Sequence, residues 1–83
     1  MNKQTRAYLA QRRREITRRI RQTRQQKGWT QQQVADLLGC SRKRYNSMEG
    51  GQTELRVTEL DFLAQTFDVP IGFFFEPVTN RKP

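Results

Sequence analysis

A short basic stretch of the chain carries side chains that could bind the edges of nucleic-acid bases. Arg42 and Lys43 stand at its start, and a side chain of either type can donate two hydrogen bonds to guanine. Asn46 follows, and asparagine pairs best with adenine. These residue types therefore predict base recognition, with a merely solvated basic face as the alternative.

The spacing within this stretch predicts a helix with one buried side and one polar side. Tyr45, Met48 and Glu49 fall on one face because they are three and four residues apart. Ser41 can cap the start of the helix, and the glycine pair at 50–51 ends it. The opposite face carries Arg42, Lys43, Asn46 and Ser47.

A second short helix must precede this one. Thr30 followed by Gln33 is a capping box, so a helix should begin at Gln31. Gly39 stands where a helix ends in a left-handed residue that glycine adopts at low cost. The apolar face of this helix is formed by Val34, Ala35 and Leu38. The sequence thus predicts two short helices joined by a glycine-containing turn.

The chain is strongly basic, and its positive charge is concentrated at one end. It has 83 residues, enough for one small domain, and a net charge of +8. Residues 1–27 hold ten Lys and Arg against one acidic residue, Glu15. Clustered Lys and Arg release counterions when they bind phosphates, so a polyanion such as nucleic acid is the expected partner.

The N-terminal segment, residues 1–12, is predicted to be a basic arm or a helix extension. No glycine or proline occurs before Gly28, so a helix should run to Lys27. Three consecutive arginines repel one another, and Glu15 is expected to pair only forward. We therefore expect an arm ordered in part or only on a polyanion, with a solvated helical end as the alternative. Its candidate binding residues are Arg12, Arg13, Arg14 and Arg18.

The C-terminal third predicts one further helix, a short last helix and a tail. A helical stripe begins near Thr58 and ends before Pro70. Pro70 suits the first turn of a last helix, Ile71 to Phe75. Residues 77–83 have no periodic pattern, so we expect them to be disordered. The stripe consists of Leu60, Leu63, Ala64 and Phe67.

Four aromatic residues of this region predict an interface. Three successive helical residues, Phe73 to Phe75, cover roughly 200° of the helix circumference and cannot all face one small core. Phe62 lies off the apolar stripe as well. Homodimerisation through Phe62, Phe73 and Phe75 is therefore the hypothesis, and local packing is the alternative.

Several functions are disfavoured by what the sequence lacks. It has no apolar run long enough for a membrane span and no signal-peptide pattern, so a cytoplasmic protein that binds no membrane is expected. Cys40 is the only cysteine and there is no histidine, which disfavours a disulfide, a metal site and any cofactor. No nucleophile stands with a base, so we expect no enzyme.

The region from about Ile16 to Phe75 resembles the lambda-repressor-like, Cro-type helix-turn-helix family, also called the XRE family. The resemblance implies an all-α, five-helix DNA-binding domain, here spanning residues 13–76 after the basic extension. Arg56 departs from the family pattern, and Thr58 is an alternative cap for the fourth helix. The matching residues are Ile16, Ile20, Arg24, Gly28, Thr30, Gln31, Ala35, Leu38, Gly39, Ser41, Met48, Glu49, Gly51, Leu60, Leu63, Ala64 and Val69.

The resemblance also implies specific roles for individual residues. The helix from Ser41 to Glu49 would lie in the major groove of double-stranded DNA. Arg24 and Glu49 would pair to join the first helix to the third. The base-reading positions are Arg42, Lys43, Asn46 and Ser47. The phosphate-binding positions are Gln31, Arg24, Arg44, Gly51 and Thr53.

These observations predict a sequence-specific DNA-binding transcriptional regulator of bacterial or phage type. It would act as a homodimer, as a repressor or an activator, on two half-sites about one helical turn apart. An antitoxin-type module, which binds a toxin protein as well as its operator, is the alternative from a different class. RNA binding through the arginine-rich segment is a third option, although a stacking platform is missing.

Overall fold

A computed structural model describes residues 1–76, which form an all-helical domain with no strand in that range. The predicted all-α class is confirmed, although the fifth helix is a 3-10 helix. The predicted disordered tail, 77–83, lies outside the described residues. The elements are α1 (Lys3–Gln26), α2 (Gln31–Leu38), α3 (Arg42–Glu49), α4 (Val57–Phe67) and the 3-10 helix η1 (Ile71–Phe75).

Helix α1 is continuous from Lys3, so the basic N-terminal segment is a helix extension. Asn2 caps it, because its side-chain oxygen accepts a hydrogen bond from the Thr5 amide at 2.7 Å. The expectation that Glu15 pairs only forward is wrong, since Arg12 donates to Glu15 at 2.6 Å from one turn before. The pairing neutralises one of the three consecutive arginines and relieves their repulsion.

The two short helices begin and end where the capping residues predict. The Thr30 hydroxyl accepts from the Gln33 amide at 3.0 Å, and the Gln33 side chain accepts from the Thr30 amide at 2.9 Å. Gly39 closes α2 with φ 75°, in the left-handed region. The Ser41 hydroxyl accepts from the Arg44 amide at 3.0 Å and starts α3. The predicted helix-turn-helix geometry is therefore confirmed in its caps.

Helix α4 starts one residue before the predicted Thr58. Arg56 is its N-cap, and its amide donates to the Glu59 carboxylate at 3.0 Å. Because arginine has no side-chain acceptor, only this half of a capping box can form. Asp68 ends the helix in a left-handed conformation, with φ 59°, which acidic and amide side chains adopt more readily than most.

One small core is shared by all five elements. Trp29 packs half-buried against it. Phe74 packs edge-to-face on Phe67, with ring centroids 6.5 Å apart. The buried members of the core are Ile20, Val34, Ala35, Tyr45, Leu60, Leu63, Ala64, Phe67 and Phe74. Residues from α1 to η1 thus bury against one another and fix the orientation of α3.

The turn after α3 lies directly against α1. Gly51 has φ 78°, and a Cβ atom there would lie 3.2 Å from the Thr17 hydroxyl oxygen. Thr17 is buried, and its hydroxyl donates to the Arg13 carbonyl at 2.9 Å. Only glycine combines this backbone conformation with so close an approach. The end of α3 is therefore held against the middle of α1.

Candidate nucleic-acid interface

Helix α3 presents a polar outer face and buries its inner face. Tyr45 and Met48 are each 1% exposed, and both pack into the protein. Arg42, Lys43 and Asn46 are exposed, and these three residues line one shallow depression of about 280 Å³ on the surface. The outer face of α3 therefore offers hydrogen-bond donors side by side over a rigid support.

Ser47, the fourth predicted base-reading residue, is less accessible than the other three. It is half-buried, and its carbonyl accepts from the Gln52 amide at 2.9 Å as the chain leaves α3. The structure thus brings Arg42, Lys43 and Asn46 together on one face and sets Ser47 at its edge.

The carboxylate of Glu49 is the point at which the first three helices meet. Arg24 donates to both of its oxygens, at 2.7 Å from Nε and 3.1 Å from Nη2. Tyr45 donates its hydroxyl at 2.6 Å, Gln31 its amide at 3.0 Å, and Arg21 its Nε at 3.2 Å. Because the Glu49 side chain is fully buried, these five donors set the position of α3 against α1 and α2.

The protonation of this cluster follows from burial and from its hydrogen bonds. Burial opposes the charge on Glu49, but the hydrogen bonds from Arg24, Tyr45 and Gln31 outweigh it and lower the pKa of Glu49 below 4.5. Burial, together with the bond to the Glu49 carboxylate, raises the pKa of Tyr45 far above its ordinary value. The cluster therefore holds an ionised carboxylate and a neutral phenol at neutral pH.

Gln31 connects this buried cluster to the exposed face of α3. Its side-chain nitrogen donates to the Asn46 carbonyl oxygen at 3.0 Å as well as to Glu49. The bond holds the Asn46 amide in one orientation while its NH₂ group stays available, which is the arrangement needed to donate to a base. Gln31 thus braces a candidate base-reading side chain.

Two of the five predicted phosphate-binding residues are engaged within the protein. Arg24 is 8% exposed, and its Nη1 donates to the Trp29 carbonyl at 2.7 Å, so each of its three nitrogens has a protein partner. Arg44 lies 3.3 Å from the Glu59 carboxylate on α4. Both arginines therefore have internal roles, and their contact with phosphate stays a prediction.

The other three predicted phosphate-binding residues remain half-buried at the surface. Gln31 lies at the first turn of α2, where unpaired backbone amides favour an anion. Gly51 and Thr53 lie in the loop after α3. Their contact with phosphate stays a prediction.

The arginines predicted for the basic segment separate into two groups. Arg12 pairs with Glu15 and also donates to the Phe75 carbonyl at 3.1 Å, while Arg13 pairs with Glu54 at 2.9 Å. Arg14 and Arg18 instead line a cleft against the end of α3. The first two arginines attach α1 to the rest of the fold, and the last two face outward.

Arg21 is a candidate site residue that the sequence did not single out. It stands three residues after Arg18 and lines the same cleft, with 45% of its side chain exposed. The signal was its spacing, because residues 14, 18 and 21 share one face of a helix. This face of α1 becomes one wall of a cleft only because the end of α3 lies against it, and the sequence alone does not give the position of α3.

The phenylalanines predicted for an interface differ in exposure. Phe62 is 37% exposed and Phe75 is 42% exposed. Phe73 is half-buried beneath the guanidinium of Arg19, 4.7 Å from its ring centroid, whereas Phe74 is fully buried. At least one member of the run is left outside the core, as the helix geometry predicted. Its role in an interface stays a prediction.

Within residues 1–76, no helix is long and apolar enough to cross a membrane. The same range contains no group of three or more side chains of the types that bind metal ions.

The two short helices joined at Gly39, with an exposed polar face on the second, define a helix-turn-helix DNA-binding domain. The sequence profile of the helix-turn-helix family matches residues 20–74. The chain therefore belongs to the XRE-type helix-turn-helix family of DNA-binding transcriptional regulators, and the family predicted from the sequence is confirmed.

A relative from Acinetobacter baylyi carries the name competence pilus inhibition repressor. It is 33% identical to this chain over 61 residues. The match covers 74% of this chain and 56% of the relative, so the chain spans little more than half the length of that protein.

Proposed function

We propose that this protein is a sequence-specific transcriptional regulator that reads the major groove of DNA with α3. The observation that carries the proposal is the exposed face of that helix, where Arg42, Lys43 and Asn46 stand side by side. Asn46 is held by Gln31, which is held in turn by the buried Glu49. Side chains positioned in this way lose little freedom on binding.

The proposed contacts follow from the donors that each side chain carries. Arg42 or Lys43 donates to O6 and N7 of a guanine, and Asn46 pairs with an adenine. Ser47 stands at the edge of the face and contacts either base or backbone. Each bidentate contact contributes about 1–3 kcal/mol of discrimination between bases, whereas a phosphate contact strengthens all sequences alike.

Selection of binding sites from a random duplex library tests the proposal. The expected result is one enriched sequence, and Arg42→Ala or Lys43→Ala should relax the preference at one base position by roughly 1–3 kcal/mol. Arg56→Ala is the matched control, because it removes the same charge from an exposed position outside α3. If all three variants weaken every sequence equally, α3 contributes charge and does not read bases.

We propose that the regulator acts as a homodimer and represses. Two-fold symmetry would place two half-sites about 34 Å apart on the duplex. The exposed Phe62 and Phe75 and the half-buried Phe73 are the proposed contact residues. The name of the Acinetobacter relative supports repression. Sedimentation at micromolar concentration tests the dimer, which a monomeric mass both with and without DNA would refute.

An apolar groove supports a second candidate function, an antitoxin-type module with a protein partner. The groove has a volume of about 340 Å³, and Arg12, Arg13 and Glu54 lie at its border. Native mass spectrometry of the complex isolated from its own host distinguishes the two candidates. A multiple of the chain's own mass indicates the homodimer, and any other added mass indicates a different partner. The apolar lining consists of Leu9, Ile16, Leu55, Val57, Leu60 and Phe75.

A further inference from the structure

Three arginines of α1 face one cleft that the proposed base-reading function does not use. Arg14, Arg18 and Arg21 are four and three residues apart and therefore share a helix face. Glu49 and Gly50, at the end of α3, form the opposite wall of a cleft of about 190 Å³. We call it the α1 cleft. Its lining residues are Arg14, Thr17, Arg18, Arg21, Glu49 and Gly50.

The charge in the α1 cleft is positive and largely unused. Within residues 1–76, Arg18 makes no hydrogen bond or ion pair and interacts with Glu15 through charge alone. Arg14 donates only to the neutral Gln11 side chain, at 3.1 Å. Arg21 directs its Nε to Glu49 at 3.2 Å, but that carboxylate is already neutralised by the bidentate Arg24. Three guanidinium groups so arranged repel one another unless an anion lies between them.

Hydrogen bonds link the α1 cleft to the proposed base-reading face. One carboxylate oxygen, Oε1 of Glu49, accepts hydrogen bonds from both Arg21 and Gln31. Gln31 donates from the same nitrogen to Asn46. Arg21 and Asn46 are therefore linked through two hydrogen-bonded side chains, and Glu49 in the cleft wall and Asn46 on the outer face belong to the same helix, α3.

We propose that the α1 cleft binds a phosphate of the DNA backbone beside the sequence that α3 reads. A duplex whose major groove holds α3 carries a row of phosphates along the border of that groove. Guanidinium groups bind phosphate oxygens through parallel donors. The inference rests on the proposed function, and it assigns the contact to Arg14, Arg18 and Arg21, which extend the protein's footprint along the backbone.

A neighbouring face of the same helix provides a charge-matched control. Arg13 lies beside Arg14 in sequence but is paired with Glu54 at 2.9 Å. Replacing Arg13 or Arg18 by glutamine removes the same charge from α1, yet only Arg18 lies in the cleft. Arg21 is unsuitable as the main test, because its loss would also disturb Glu49.

The test measures the salt dependence of binding to a duplex by fluorescence anisotropy. Loss of one phosphate contact lowers the slope of log Kd against log salt by about 0.9. Arg18→Gln should therefore reduce the rise in Kd between roughly 50 and 200 mM salt by about 3.5-fold, and Arg13→Gln should leave it unchanged. Equal slopes for the two variants, at equal melting temperatures, would overturn the proposal.

Two further measurements separate this proposal from its alternatives. The slopes are measured on the selected sequence and on a scrambled duplex, and the Arg18→Gln effect should appear on both. If no sequence is selected but the slope still falls, the cleft binds phosphate and the proposed function fails. A titration with inorganic phosphate, monitored through the NMR signals of the arginine Nε groups, tests the alternative that the cleft binds a free anion. Saturation of Arg18 by millimolar phosphate with no slope change on DNA would overturn a backbone site.

Discussion

Replacing Glu49 by alanine should destabilise the domain severely, although Glu49 makes no predicted contact with a base. The substitution removes an acceptor for five hydrogen bonds and leaves the Arg24 guanidinium without its carboxylate. The Arg24 side chain is only 10% exposed, so its charge would remain buried and unpaired. Removing one partner of a buried ion pair costs about 3–5 kcal/mol.

That loss is large against the stability of a chain of this size. A domain of 83 residues is stable by roughly 4–12 kcal/mol, so Glu49→Ala should remove about a quarter or more of that stability. The melting temperature should fall by at least about 12 °C, because 1 kcal/mol shifts a small domain by about 4–8 °C. Lys43→Ala, at an exposed position, should change the stability by less than about 0.5 kcal/mol.

Thermal unfolding followed by circular dichroism measures both variants, and a double-mutant cycle with Arg24→Ala apportions the effect. Once Glu49 is absent, removing Arg24 should cost less than it does in the wild type, because no buried pair remains to be broken. Equal melting temperatures for Glu49→Ala and Lys43→Ala would refute the role of the carboxylate as the joint between the helices. Strict additivity in the cycle would refute its coupling to Arg24.

Three further predictions test the same region. The pKa of Glu49 is lowered in the folded state, so the stabilisation that its carboxylate provides is present above pH 4.5 and is lost as the pH falls through its folded pKa. The free energy of unfolding should therefore depend less on pH in the acid range in Glu49→Gln than in the wild type. Tyr45→Phe should cost about 1.5–3 kcal/mol in urea unfolding, through loss of a 2.6 Å bond to a charged acceptor, and a neutral result would mean that the hydroxyl is replaced by water. Gly51→Ala should lower the stability by more than about 1 kcal/mol in calorimetry, because φ is 78° and the new Cβ would meet Thr17 at 3.2 Å. Gly28→Ala is the control, since Gly28 also has a positive φ but has open space around it. The difference between the two variants measures the cost of the steric contact.

The helix-turn-helix unit could be predicted because its signals are local. The Thr30 capping box, the left-handed Gly39 and the Ser41 cap each involve residues a few positions apart, so their geometry follows from the backbone alone. The two faces of α3 follow from helical spacing in the same way. The start of α1 is less certain from the sequence, because Asn2 favours a helix start there whereas repulsion among the consecutive arginines opposes one.

The remaining features depend on residues that are far apart in the chain. Arg13 and Glu54 are 41 residues apart, and no spacing rule links them. The pairing of Arg24 with Glu49 was implied by the family resemblance and by no local signal. The α1 cleft was visible only as a row of arginines, since its second wall is the end of α3. The site therefore required the packing of helices, which a single sequence does not determine.

Contacts between the first and last elements have a consequence for synthesis of the protein. Arg12 on α1 donates to the Phe75 carbonyl, 63 residues later, and the fully buried Phe74 supplies part of the core. A nascent chain emerging from the ribosome can form α1 early, but it cannot close this core until η1 has left the exit tunnel. Until then the position of Phe74 in the core stays unfilled, so the domain should complete its core late in translation.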